Sequence, residues 1–286
     1  MPTVNPSLET LEAGSRRSRT TCGAGHVVWH EWGEGEPLVL LHGGAGSWRH
    51  WARNILFLSR SRRVLAPDTP GLGESDLPPA GTSLWSLADI LADGITAQIG
   101  PGASYDLVGF SFGAVIASHI AARPVMGLKR VVLTGPGALG LRREATPLVS
   151  VRNRSEQDRM AAHCANLASL MLADPASIDD LALEIQSWNS DHARFRSRNV
   201  VSDAAVRDVL PAINVPVHAI FGERDAIAYP YVADRVDLIR SLCPGADVRV
   251  IPKAGHWVSY EAADAFNAIL AGMLKMHDAA ESTRRR

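Results

Sequence analysis

Ser111 stands between two glycines in "DLVGFSFGAVIAS", residues 106–118. A serine hydroxyl attacks a carbonyl only when a base takes its proton and an acid orients that base. The apolar run "YDLVG" before it reads as a strand, and "GAVIASHIAA" after it reads as a helix. Strand, turn and helix in that order predict a tight elbow with the Ser111 side chain at its apex. Gly109 and Gly113 remove Cβ atoms where backbone has to pass closely. The start of the following helix also favours developing negative charge.

A base and an orienting acid follow in chain order. Asp225 lies in "FGERD" and His256 in "AGHW". Each comes just after an apolar strand pattern, and sites in open α/β sheets form at the carboxyl ends of strands. Glu223 follows the same strand as Asp225 and is the alternative acid. His218 lies inside that strand and is expected to be a core histidine. His42 precedes the serine and is expected to shape its loop. The oxyanion of an acyl-transfer reaction needs at least two preorganised N–H donors. Phe112, directly after the serine, supplies one. The loop "HGGAGS" (residues 42–47) supplies the other, from Gly44 first and Gly43 second. Asp68 and Ser75, in "PDTPGLGES", are read as loop scaffolding because turns favour Asp, Gly and Ser.

The elements that must position these residues alternate along the chain. "PLVLLHGG" is a short continuous apolar run ending in glycines, as expected of a strand buried on both faces. "SWRHWARNILFLSR" has helical spacing, with Trp48, Trp51, Ile55 and Leu58 on one face. Further strands are expected in "RRVLAPD", "YDLVGF", "LKRVVLTG", "VPVHAIFG" and "ADVRVIP". Helices are expected in "LWSLADILADGITAQI", "YVADRVDLIRSL" and "SYEAADAFNAILAGML". Near the start, "HVVWHEWGEGEP" reads as a strand and hairpin turning at Gly33 and Gly35. The alternation predicts an α/β fold, a mostly parallel sheet with helices on both faces. The stretch from Gly137 to Leu210 carries helical patterns and no convincing buried strand, so it reads as a helical cap (lid) inserted in the sheet order. The expected division is a flexible N-terminal tail over residues 1–20, a core from 21–136 and 211–278, and the cap over 137–210.

Bulk properties narrow the function classes. The 286 residues are 46% apolar and 21% charged, with a net charge of -1. That balance suits a soluble globular enzyme and gives no footprint for nucleic acid or an anionic membrane. "RRSR" (residues 16–19) and the terminal "RRR" read as solvated tail charge. Cys22, Cys164 and Cys243 are odd in number and widely spaced, so neither a disulfide framework nor a zinc site is expected. The N-terminus has no apolar signal core and no apolar run approaches a membrane span. A cytoplasmic location follows as the expectation, with a small-molecule substrate and a homodimer as the simplest assembly.

In order, "LLHGGAGS", "PDTPGLGESD", "GFSFGA", "FGERD" and "AGHW" resemble the α/β-hydrolase superfamily over roughly residues 25–275. The resemblance implies the α/β-hydrolase fold, a cofactor-independent and metal-free mechanism, and a triad of Ser111, Asp225 and His256. The Ser111 nucleophile argues against the family's dehalogenases and epoxide hydrolases, which use Asp. "GHWVSYEAADAFNAIL" is similar to the meta-cleavage-product hydrolases, which break a carbon–carbon bond in 2-hydroxy-6-oxo-dienoates. Trp257, Glu261, Phe266 and Asn267 carry that likeness. The chain departs from that group in "HGGAGSW", in the phenylalanines flanking Ser111, and at Gln186, where the group has a carboxylate-gripping Arg; Arg194, Arg196 and Arg198 lie nearby. Trp48, Trp188, Arg194 and Trp257 are the expected pocket residues, while Trp51 is expected to pack in the core. The same triad would serve a carboxylesterase or lactonase, and a ligand receptor on this fold is the alternative outside catalysis.

Overall fold

The computed structural model describes residues 7–284, with side chains to Leu274. Eight strands form one sheet in the order β1-β2-β4-β3-β5-β6-β7-β8. They are β1 (Arg16–Cys22), β2 (Gly25–Trp32), β3 (Glu36–Leu41), β4 (Arg62–Pro67), β5 (Tyr105–Phe110), β6 (Leu128–Thr134), β7 (Val217–Gly222) and β8 (Val248–Ile251). β1 and β2 form an antiparallel hairpin, β2 runs antiparallel to β4, and every other pairing is parallel. β5, which leads into Ser111, is buried along its whole length.

Alternate strand residues divide between two apolar clusters, as a period of two requires. Val39, Leu107, Val131 and Phe221 join one cluster, with residues of the helices α3 (Leu84–Ile99), α4 (Phe112–Ala121), α7 (Ala205–Val209) and α8 (Val232–Leu242). Leu38, Val108, Val132 and Ile220 join the other. That second cluster also takes Leu8 and Leu11 of α1 (Leu8–Ala13), Ile55 and Leu58 of α2 (Ile55–Leu58), and residues of α9 (Val258–Glu261) and α10 (Ala263–Arg284). Both faces of the sheet are therefore covered by helices. No helix among the described residues is long and apolar enough to cross a membrane.

Between β6 and β7 the described residues form helices and no strand. α5 (Glu156–Asn166) continues into a π-helical turn over Leu167–Met171, and α6 (Asp180–Asp191) follows. Each helix begins on a side-chain cap: Ser155 accepts the Asp158 N–H and Asp179 accepts the Ala182 N–H. Leu167, Met171, Ala182 and Ile185 are buried in the second cluster, while Leu139, Ala205, Val206 and Leu210 join the first, so the insertion packs into both clusters.

Three expectations change. The flexible tail does not hold over residues 7–20, which form α1 and most of β1; residues 1–6 lie outside the described residues. The Trp32 indole N–H donates to the Leu11 carbonyl at 2.7 Å, and Arg16 and Arg17 of "RRSR" pair with Glu31 and Glu74. The turn at Gly33 and Gly35 leads to β3, yet β4 lies between β2 and β3, so the hairpin is the one before it. The helix expected over "SWRHWARNILFLSR" is broken into a 3-10 turn at Trp48–Trp51 and the short α2. Tertiary bonds interrupt it: Asp68 Oδ1 accepts the Trp48 N–H, and the Asn54 amide donates to the Ser259 carbonyl and Asn267. Trp48, Trp51, Ile55 and Leu58 are nevertheless all buried.

Candidate active site

Ser111 follows β5 and caps α4 with φ 52° and ψ -113°, a conformation that a residue with a Cβ seldom adopts. Its surroundings hold it there. The Ser111 N–H donates to the Thr134 carbonyl at 2.9 Å, and its own carbonyl accepts from Ala114 at 3.0 Å. A Cβ on Gly113 would lie 2.2 Å from the Leu41 carbonyl oxygen, and one on Gly109 would lie 2.3 Å from the Gly113 carbonyl oxygen. Both flanking glycines are thus required by close backbone contact.

His256 Nε2 lies 2.9 Å from Ser111 Oγ, and its Nδ1 lies 2.8 Å from Asp225 Oδ1. Asp225 is fully buried and His256 nearly so, while Ser111 is partly open. The Ile227 N–H donates to Asp225 Oδ1 at 3.0 Å, which fixes the carboxylate. Glu223 is engaged elsewhere, accepting the Lys253 N–H at 2.8 Å. His218 Nδ1 accepts the Asp247 N–H at 3.2 Å. Gly135, which the sequence reading passed over, backs the pair. Its φ is +50°, and a Cβ there would come within 3.1 Å of both Asp225 Oδ2 and His256 Nδ1. The signal was a glycine immediately after a buried strand.

The loop after β3 lies beside the elbow. His42 Nδ1 donates to the Gly43 carbonyl at 2.7 Å, and its Nε2 accepts the Thr69 N–H at 2.9 Å. That pattern fixes a neutral tautomer, and burial pushes its pKa down against the opposing pull of Asp68. The Gly43 N–H donates to His50 Nδ1 at 3.2 Å. Gly44 approaches Phe112: a Cβ on Gly44 would sit 3.6 Å from that of Phe112. As the first residue of α4, Phe112 has an N–H with no carbonyl one turn back to receive it. Asp68 and Ser75 act in the scaffold. Asp68 accepts the Trp48 and Glu74 N–H groups at 2.8 Å each, and Ser75 Oγ accepts from Val28 at 2.8 Å. Together with His30 and Glu74, Asp68 is one of three potential ligand groups within 4.8 Å of one another. His30 and Glu74 bond each other at 3.0 Å there, and the cluster reads as a hydrogen-bonded support beneath the loop.

A cavity of about 1510 Å³ opens over Ser111 and His256. Gly43, Gly44, Phe110 and Phe112 line it from the core, and Leu170, Met171, Gln186 and Phe195 from the insertion. Seven arginines reach its wall (Arg143, Arg152, Arg154, Arg159, Arg194, Arg196 and Arg198) against the carboxylates of Glu144, Asp191 and Asp203. Arg159 donates to Asp191 at 2.6 Å, and the Arg194 guanidinium donates to the Ser75 carbonyl. Of the four expected pocket residues only Arg194 lines the cavity. Trp48 is fully buried against His30 and Trp32. Trp188 stacks on His192 at 3.7 Å and carries the Arg49 guanidinium over its ring at 3.5 Å. Trp257 is buried, stacked on Tyr260 at 4.2 Å, with its indole N–H on the His50 carbonyl. Large apolar rings gain more from the core than from an open, arginine-bearing wall.

Residues 38–269 match the alpha/beta hydrolase family. The chain belongs to that family. Within it, the chain is 26% identical over 257 residues to a 2-hydroxy-6-oxo-6-phenylhexa-2,4-dienoate hydrolase of Burkholderia cepacia, covering 85% of this chain and 88% of the relative. It is 27% identical over 277 residues to a 2-hydroxymuconate semialdehyde hydrolase of Pseudomonas putida, covering 88% and 92%. Among solved structures, a meta-cleavage product hydrolase from Pseudomonas fluorescens IP01 superposes with a TM-score of 0.71 at 24% identity, covering 91% of this chain and 97% of that one. A bromoperoxidase from Bacillus anthracis superposes at 0.76 with 21% identity, covering 91% and 100%. At such identities the superpositions establish the shared fold of this alpha/beta hydrolase.

Proposed function

We propose that this chain is a serine hydrolase, and the observation that carries the reading is the unbroken hydrogen-bond path from Ser111 Oγ through His256 to Asp225 at the floor of an open cavity. His256 Nε2 takes the Ser111 proton as the hydroxyl attacks a carbonyl carbon. Asp225 holds the ring with Nε2 towards the serine and stabilises the imidazolium. The N–H groups of Phe112 and Gly44 receive the oxyanion. Gly43 is the weaker choice, because its N–H is engaged by His50. His256 then protonates the leaving group, and water, deprotonated by the same imidazole, releases the acyl group. Residues 137–210 serve as a cap whose inner wall selects the substrate.

For the substrate we favour a small oxo acid, a 2-hydroxy-6-oxo-dienoate cleaved at a carbon–carbon bond. Support comes from the named activities of the relatives and from the excess of arginines over carboxylates on the cavity wall, which suits an anionic substrate. In that reaction the dienol ketonises before attack, and the leaving carbanion takes a proton. A carboxylesterase or lactonase would use the same triad, and the apolar lining of Phe110, Phe112, Leu170 and Met171 favours it as the second reading.

A panel of a yellow dienol acid and p-nitrophenyl esters separates these readings. The expected result is loss of the dienol colour with acid products and slow ester cleavage. Ester cleavage with the dienol acid untouched would establish the second reading. Ser111→Ala is expected to lower turnover by roughly 10³-fold or more. Turnover retained in that variant, or wild-type protein that binds a ligand yet resists a fluorophosphonate at Ser111, would overturn the catalytic assignment in favour of a receptor.

A further inference from the structure

His50 is buried at the junction of the loops that carry the chemistry, yet it belongs to neither the triad nor the expected pocket. Its ring lines the same cavity as Ser111. Three contacts place it. Nδ1 accepts the Gly43 N–H at 3.2 Å. The ring meets Phe110, directly before Ser111, edge-on at 5.5 Å. It meets Trp257, directly after His256, at 5.0 Å, and the Trp257 indole N–H donates to the His50 carbonyl at 2.9 Å. One side chain thus touches the glycine loop, the serine elbow and the histidine loop.

The hydrogen bond also defines the chemical state of the ring. A backbone N–H can only donate, so His50 Nδ1 carries no proton and the neutral ring holds its proton on Nε2. Burial pushes the His50 pKa well down, and His42 and His256 nearby disfavour a charge further. The neighbours are shaped around this ring. A Cβ on Gly46 would lie 2.3 Å from His50 Cε1, so only glycine lets the loop close over the imidazole. Gly43 itself lies against the Phe110 ring, where a Cβ would come to 3.0 Å.

We infer that His50 is a positioning residue for the oxyanion loop: by holding the Gly43 N–H on Nδ1 it decides that the next amide, Gly44, is the one offered to the oxyanion. Two adjacent amides of a short loop compete for that place, and without an acceptor behind Gly43 the loop loses the bond that separates them. A preorganised donor is worth on the order of 10²–10³ in rate when lost, and a loop that samples several orientations forfeits part of that. The inference rests on the serine-hydrolase reading for its kinetic consequence, but the Gly43–His50 bond can be observed without any activity.

The test compares His50→Asn, His50→Leu and His50→Gln in the full chain. Asn places an acceptor oxygen near the position of Nδ1. Leu fills space with no acceptor, and Gln carries its acceptor one bond further out. With the substrate that the panel selects, His50→Leu and His50→Gln are expected to lower kcat by roughly 10- to 100-fold with KM within about threefold, and His50→Asn to recover to within about fivefold of wild type. A packing role would instead rank the variants by volume, with melting temperature and kcat falling together. In parallel, the nitrogen chemical shifts of the His50 ring are expected to report Nε2–H with Nδ1 as acceptor, and the Gly43 amide to shift in His50→Leu. Equal kcat in all three variants, equal loss in all three, or a proton on His50 Nδ1 would overturn the inference. If wild-type protein neither turns over substrate nor labels with a fluorophosphonate, the serine-hydrolase reading fails. The ring nitrogen shifts then still decide the His50 bond.

Discussion

Asp225 and Glu223 sit two residues apart after β7, and one side chain decides between them. Asp225 Oδ1 reaches His256 Nδ1 at 2.8 Å, whereas Glu223 Oε2 accepts the Lys253 N–H at 2.8 Å on the exposed side of the loop. Asp225→Asn keeps the size of the side chain but presents an amide where the proposed mechanism has a carboxylate stabilise the imidazolium. It is expected to lower kcat by about 10⁴-fold with the fold retained, while Glu223→Gln stays within a few-fold of wild type. Steady-state kinetics on the two purified variants check this, and equal losses would remove Asp225 from its place. Ser111, Asp225 and His256 were legible because each follows an apolar strand pattern in chain order, and a loop at a strand end has few ways to point. Gly135 was marked only as a glycine after a buried strand, and His50 was not marked at all. Gly135 matters because β6 brings its Cα against the Asp225–His256 pair, and His50 because a loop folds its ring onto an amide seven residues back. Neither relation leaves a spacing in the sequence.

At the scale of elements, the short helix α9 joins the site to the insertion. The Glu261 carboxylate accepts the Gly255 N–H at 2.5 Å, beside His256, and the Ala173 and Asp174 N–H groups at 3.1 and 2.7 Å. Trp257 adds its N–H to the Met171 carbonyl at 2.7 Å, where the π-helical turn ends. On the other side of α9, the Tyr260 hydroxyl and the Arg53 guanidinium both donate to Asp179, the residue that caps α6. The loop that carries His256 is therefore held by the segment that roofs the cavity. Glu261→Ala leaves three backbone donors without their charged acceptor. It is expected to cost about 2 kcal/mol of stability and several degrees of Tm, and to lower kcat as the His256 loop loosens. Glu261→Gln, which keeps one oxygen, is expected to lose less on both counts. Thermal melts and kinetics on the pair check this, and an unchanged Tm in Glu261→Ala would show that other contacts hold the loop. The insertion's helices were legible from their apolar spacing, but the part Glu261 plays in their attachment was not, because a single acidic residue on a helix reads as solvated charge.

Across the whole molecule the mostly parallel sheet followed from apolar runs alternating with helical patterns, while the order of its strands comes from the structure, and the N-terminal segment escaped because its sequence lacks that pattern. β1 reads "RRSRTTC", polar enough for a tail, yet an edge strand needs only one neighbour and carries its charges outward. Burial on this scale has a consequence for acid stability. His42 and His163 are completely enclosed and His50 and His119 are nearly so, and burial lowers the pKa of all four below the ordinary histidine value of 6.5. Above that value both folded and unfolded chains hold these rings neutral, so they add no pH dependence there. Below it the unfolded chain binds protons that the folded chain refuses, so stability rises with pH across that window and falls as the solution is acidified. Glu31 and Glu74, whose carboxyls are held below the usual range, by arginines at Glu31 and chiefly by the His30 hydrogen bond at Glu74, lose their contribution only at lower pH, below about 4.5. The expected curve is a Tm that is level in this respect from pH 8 to 7, then drops between pH 6.5 and 5, before the carboxylates titrate. Thermal melts in buffers spanning pH 5 to 8 at constant ionic strength measure it. A Tm that holds or rises on acidification to pH 5 would mean that these histidines are protonated in the folded chain, contrary to the neutral ring that the Gly43 bond requires at His50.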